Sequence, residues 1–139
     1  MFPATPSGPG LVRSRPRFGG GRTSFNPRPA GVNVEYAFDH ENLDVYRLAL
    51  EVARGCPALK IATGRSPLRD QLQRSADSVV LNIAEGRSRG GDAGRNHYRI
   101  AAGSAAEACA ALDLVGTPEA LAFQPKLRRV GAMLRGLAR

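Results

Sequence analysis

The 139-residue sequence predicts an all-α fold: an antiparallel up-and-down four-helix bundle behind a disordered N-terminal arm. Three observations carry that prediction. From Tyr36 onward, apolar residues recur at spacings of three and four, the mark of helices with one buried face. Pro57, Pro67, Gly116 and Pro118 punctuate these runs where helix ends belong. No alternating apolar–polar run bounded by turns competes with them. The expected division is an arm over 1–34 and a bundle over 35–139.

The arm comes first. Residues 1–34 hold six of the ten prolines, a run of three glycines and no periodicity. Such a segment buries too little apolar surface to offset its ordering entropy. Phe2, Phe18 and Phe25 interleave with Arg13, Arg15, Arg17, Arg22 and Arg28, an arrangement able to stack on bases and contact phosphates.

In the first helix, Val45, Leu48 or Ala49, Val52 and Cys56 share a face, with Asp39 or Asn42 as N-cap and Pro57 near the stop. Residues 60–67 connect it to the second helix, which Ser66 and Pro67 open as an N-cap and N1 pair. There Leu68, Leu72, Ala76, Val79 and Ile83 form the apolar stripe, and Gly86 is the expected residue just past the end. A loop carrying Arg87 and Arg89 should follow, and Asp92 should cap a long third helix stopped by Gly116. Thr117 and Pro118 begin a short piece that Pro125 ends or bends. Leu127, Val130, Leu134 and Leu137 then form the stripe of the last helix. Short connections between such helices describe an antiparallel bundle.

Formal charge is +8, spread unevenly. The arm has five arginines and no acid, which leaves 15 basic against 12 acidic residues from Glu35 onward. This balance favours an acidic partner, nucleic acid before membrane, because no basic amphipathic helix with an aromatic face is present. The expected nucleic-acid contacts are the arm arginines together with Arg87, Arg89 and Arg95. Cys56 and Cys109 show no metal spacing and are expected to be reduced thiols in apolar surroundings. No apolar run reaches membrane-spanning length, and the first twenty residues lack the apolar core of a signal peptide. The expected compartment is the cytoplasm, with no membrane partner.

One segment breaks the apolar pattern. Ser75, Ser78, Asn82 and Glu85 repeat at spacings of 3, 4 and 3, so they form a polar stripe beside the apolar one. On the third helix, Gly103, Ala105, Ala106 and Ala108 remove bulk around Ser104 and Glu107, which lets a neighbouring helix approach. Buried polar groups are costly unless satisfied, by roughly 1–3 kcal/mol each. The expected arrangement is therefore a connected structural network of Arg74, Ser78, Asn82, Glu85, Ser104 and Glu107. Arg74, Arg99 or a loop arginine would supply its counter-charge. Glu85 and Glu107 could instead ligate a metal, but di-metal bundles draw a Glu-x-x-His pair from each of two helices, and neither glutamate has a histidine three residues on. No metal, cofactor or catalytic residue is expected.

These same residues carry a resemblance. "LRDQLQRSADSVVLNIAEGRSR", followed by "YRIAAGSAAE", closely resembles the bacterial four-helix bundle family first described from 23S rRNA intervening sequences. Gln71, Arg74, Ala76, Ser78, Asn82, Ile83, Ala84, Glu85, Gly86 and Arg89 match its pattern, as do Ile100, Ala101, Gly103, Ser104 and Glu107. His97 stands where that pattern tends to phenylalanine, and Tyr46 stands at a usual tryptophan. The resemblance covers about residues 38–139. It implies a homopentameric bundle with no known catalytic residues, similar to the accessory protein of diversity-generating retroelements, a basic pentamer that binds nucleic acid and a reverse transcriptase. The expected function is thus a non-enzymatic homo-oligomer, a pentamer, that binds RNA through arm and loop arginines. The rival is an oligomeric scaffold whose arms recruit a protein partner.

Overall fold

The structure is a computed structural model, and it describes residues 37–139. Among these the elements are helical and no strand occurs. The helices are α1 (Asp44–Gly55), α2 (Ser66–Arg89), α3 (Gly91–Val115), the four-residue α4 (Pro118–Leu121) and α5 (Gln124–Leu137). The four longer ones form the bundle. α2 packs on α3, α3 on α5, α5 on α1 and α1 on α2, so each helix touches its chain neighbours and the ring closes.

The expected apolar stripes face the centre except at Leu137, which is exposed at the end of α5. Val45, Ala49, Val52 and Cys56 are buried from α1 and the turn after it; Leu72, Ala76, Val79 and Ile83 from α2; Leu127, Val130 and Leu134 from α5. Leu68 and Leu48 lie at the margin, packed against this core. From α3 the buried residues are mostly alanines (Ala101, Ala105, Ala108 and Ala111), with Leu112 and Tyr98 as the bulky exceptions. A small-residue helix in this position lets its neighbours approach its backbone closely.

The helix ends required several corrections. Asp39 and Asn42 do not cap α1, because both lie inside a 3-10 turn (Asp39–Asn42) closed by Glu41 N–H to Phe38 O and Leu43 N–H to His40 O, each 3.0 Å. α1 starts after Leu43 without a side-chain cap. Arg47 clips turn to helix by donating from Nε to the Glu41 carbonyl at 3.0 Å. Ser66 is the first residue of α2 rather than its cap, which places Pro67 in the first turn. There a missing N–H costs nothing. Thr117 does cap α4, accepting the Ala120 N–H at 3.2 Å. Gly116 ends α3 in the left-handed region (φ 70°), as expected.

Gly86 does not end α2. The helix continues to Arg89, and Gly90 (φ 63°) is the one residue between α2 and α3. The expected arginine loop is therefore the last turn of α2, and Asp92 sits within the first turn of α3 rather than ahead of it. The physical reason is close packing. Gly86 is buried, and a Cβ there would meet the Tyr98 ring at 2.8 Å and the Gly94 carbonyl oxygen at 3.0 Å. A Cβ on Gly94 would lie only 2.4 Å from the Gly86 carbonyl oxygen. The two helices leave a one-residue turn backbone against backbone, and glycine on both sides is what admits that.

The two thiols differ. Cys56 is buried, and its thiol is pushed up to about 11, first by burial and then by the nearby Asp77 carboxylate. It stays neutral at any ordinary pH, and a neutral thiol is a poor nucleophile. Cys109 is partly exposed beside α5. Titration with a thiol-specific disulfide reagent at pH 8 should therefore show one thiol reacting promptly and the second only after denaturation. Two prompt thiols would contradict the burial of Cys56.

Candidate functional site

The polar stripe of α2 meets α3 along a half-buried seam. Ser75 turns inward and is satisfied within its own helix, its hydroxyl bonding the Gln71 and Leu72 carbonyls at 2.8 and 3.0 Å. Ser78 reaches across to Ser104, oxygen to oxygen at 2.8 Å. Asn82 donates from Nδ2 to the Ser78 carbonyl at 2.9 Å and to its hydroxyl at 3.2 Å. The Asn82 Oδ1 lies 2.9 Å from His97 Nδ1. An amide oxygen can only accept, so His97 carries its proton on Nδ1 here. Ser104, Ser78, Asn82 and His97 thus form one chain of four side chains that joins α2 to α3 at two levels.

His97 was missing from the expected network. It occupies the position where the resembling pattern tends to phenylalanine, and it supplies the partner that the Asn82 carbonyl oxygen needs. Arg74 and Glu107 are corrections in the other direction. Arg74 is exposed and donates to Gln71 on its own helix at 3.2 Å. Glu107 is exposed and makes no side-chain bond among the described residues. Its place on α3 lies about 60° further round than Ser104, three residues on at about 100° each.

Glu85 sits one turn beyond Asn82 and pairs with Arg89, at i and i+4. The counter-charge is thus one of the expected arginines, while Arg99 instead donates to the Ala138 carbonyl at 3.1 Å. The hydrogen bond from Arg89, then its charge, hold the Glu85 carboxyl below its ordinary range, with a smaller contribution from His97. A depressed acid contributes its stability at neutral pH and loses it only as pH falls through the folded-state value. Both side chains are about half exposed, so water screens the pair.

Every expected contact arginine in the described part has an acidic neighbour. Arg87 lies 3.9 Å from Asp39, Arg89 pairs with Glu85, and Arg95 pairs with Asp92. The α2–α3 turn is therefore close to charge-balanced rather than a free cationic patch. Arg13, Arg15, Arg17, Arg22 and Arg28 lie outside the described residues.

The arrangement offers little acid–base chemistry. His97 bonds an amide and neither serine hydroxyl, so neither Ser78 nor Ser104 has a base in hydrogen-bond reach to activate it. Among the described residues, no three His, Cys, Asp or Glu side chains come together as a metal site. None of the described helices is long and apolar enough to cross a membrane.

No curated protein and no solved structure matches the chain. A family model does, that of the 23S rRNA-intervening sequence protein, over residues 41–135. This span runs from the turn before α1 almost to the end of α5, and takes in the glycine crossing and the whole seam. On that match, together with the helical bundle it spans, the chain belongs to the 23S rRNA-intervening sequence protein family.

Proposed function

We propose that this protein is a non-enzymatic homo-oligomer, a pentamer, acting in the cytoplasm, whose bundle is a scaffold and whose arm binds RNA. The observation that carries the RNA reading is the distribution of charge. Five arginines within residues 1–34 face no acid in their own segment, whereas Arg87, Arg89 and Arg95 each have a carboxylate neighbour. The arm thus takes a larger share of the phosphate contacts than the turn does. Sequence-local arginines contact phosphate without reading bases, and several arms on one oligomer multiply weak contacts by avidity.

Oligomerisation is supported by the thin core. α3 contributes mainly alanine, while Leu81, Leu114, Ile100, Leu121 and Leu137 remain exposed on the bundle. A single domain of this size buries only about 60–70% of its surface alone. Light scattering at micromolar concentration should give a mass several times 14.8 kDa. A stable monomer would remove the avidity on which the reading depends.

The binding experiment compares full-length protein with a chain lacking residues 1–34, using a single-stranded RNA at several salt concentrations. Each neutralised phosphate contributes a slope of about −0.7 in log K against log salt. Deletion should leave helicity and oligomer mass intact, flatten that slope and weaken binding. Equal affinity of the two proteins would move the binding element to the bundle. If neither binds at low salt, the protein is a scaffold for a protein partner.

A further inference from the structure

On the side of the bundle away from the polar seam, α3 and α5 enclose an open groove of about 510 Å³. Its apolar floor is made by Ala102, Ala105, Ala106 and Ala110 of α3 with Cys109 among them, and by Leu127 and Gly131 of α5 opposite. The four alanines raise nothing longer than a methyl group. At Gly131 the missing side chain keeps the α5 side of the groove low. A Cβ there would meet only the Arg135 guanidinium, at 3.6 Å, which lies across the opening.

The wall of the groove is cationic. Arg128 and Arg135 line it from α5, seven residues apart, which is about 10.5 Å along the helix. α5 and the residues after it carry Lys126, Arg128, Arg129, Arg135 and Arg139 and no acid. Arg135 has no hydrogen bond or ion pair to another side chain among the described residues, unlike the arginines of the α2–α3 turn. Asp113, the acid at one end, is already bound by Gln124 Nε2.

We propose that this groove docks an acidic amphipathic helix of a protein partner, with two carboxylates seven residues apart on the arginine wall and an apolar ridge on the alanine floor. Helix-in-groove recognition needs an apolar trough that admits a helix and polar walls that fix its register. RNA would use the arginines but gains nothing from an alanine floor. The chain's own arm has five arginines and no acid, so it has no carboxylate to offer this wall. A second copy fits poorly. The same-helix acids seven residues apart are Asp44 with Glu51, engaged by Arg47 and Lys126, and Asp70 with Asp77, between which stands Arg74; the exposed Glu107 and Glu119 lie on different helices and offer no such pair.

The test uses full-length protein and a fluorescent helical peptide of about 18 residues, with glutamates seven apart and leucines between them. Its counterpart carries lysine at the glutamate positions. The acidic peptide should bind about tenfold or more tightly than the lysine peptide. Arg135→Glu and Ala106→Leu should each weaken it by about as much, the first by reversing the wall and the second by filling the floor without changing charge. Equal binding of the two peptides would overturn the proposal, as would an Ala106→Leu protein that binds normally. So would loss of RNA affinity in Arg135→Glu with none in Ala106→Leu, which makes the wall a phosphate surface. Conversion of the oligomer to monomers by either variant would assign the groove to a neighbouring copy.

Discussion

Gly94→Ala should destabilise the protein by about 3 kcal/mol, a fall in Tm of more than about 10 °C. The added methyl would lie 2.4 Å from the Gly86 carbonyl oxygen, a backbone atom that no side-chain rotation can move away. α2 and α3 would have to separate at the end where only Gly90 joins them, taking Tyr98 from its place against Gly86. Gly103→Ala makes the same change on the same helix with the opposite expected sign. Nothing lies within 4 Å of its Cβ position, so the gain in helix propensity, about 0.5–1 kcal/mol, should stand alone. Thermal melts of the two variants beside the parent settle the point. Two variants that both melt at the parent's temperature would mean that the helices do not cross this closely.

Asn82→Ala should cost about 1–3 kcal/mol. Asn82 is bonded to side chains on both helices, Ser78 on α2 and His97 on α3, and it ties His97 to the Ser78–Ser104 pair. Its removal leaves the His97 Nδ1–H without its acceptor, and Ser78 keeps only Ser104. Asn82→Asp is a useful second variant. It retains an acceptor for His97 but loses the donor to Ser78, and it places a carboxylate one turn from Glu85. The aspartate should also melt below the parent, because a carboxylate cannot donate to the Ser78 carbonyl and hydroxyl and repels Glu85 one turn away. Chemical denaturation of the three proteins at neutral pH reads both effects, and an alanine variant as stable as the parent would contradict the first.

The sequence showed the apolar stripes because a 3.6-residue period survives whatever the helices later pack against. Thr117 and Gly116 were readable for a similar reason, since their roles depend on local backbone alone. Gly86 was misread because a glycine that ends a helix and a glycine that admits a neighbour look the same in their own segment. The distinction lies in Gly94, eight residues on and across a turn whose length was itself misjudged. That error hid His97. Counting a five-residue loop where only Gly90 stands shifts the pairing of α3 against α2, so the partner of Asn82 could not be found by spacing. The same spacing puts Arg87 and Arg89 in a loop, whereas the continued helix sets Arg89 one turn from Glu85, and the packing of the turn before α1 brings Asp39 to Arg87. Glu107 shared a helix with Ser104 but not a direction, which a spacing of three leaves open.

In the function proposed above, the seam is framework and RNA is bound by the arm. The most direct test is the RNA affinity of Asn82→Ala, measured with the full-length variant at a temperature where circular dichroism shows it folded. Parental affinity and an unchanged salt slope are expected in a protein whose Tm has fallen. A variant that melts like the parent but no longer binds RNA would contradict it and make Asn82 part of a binding site.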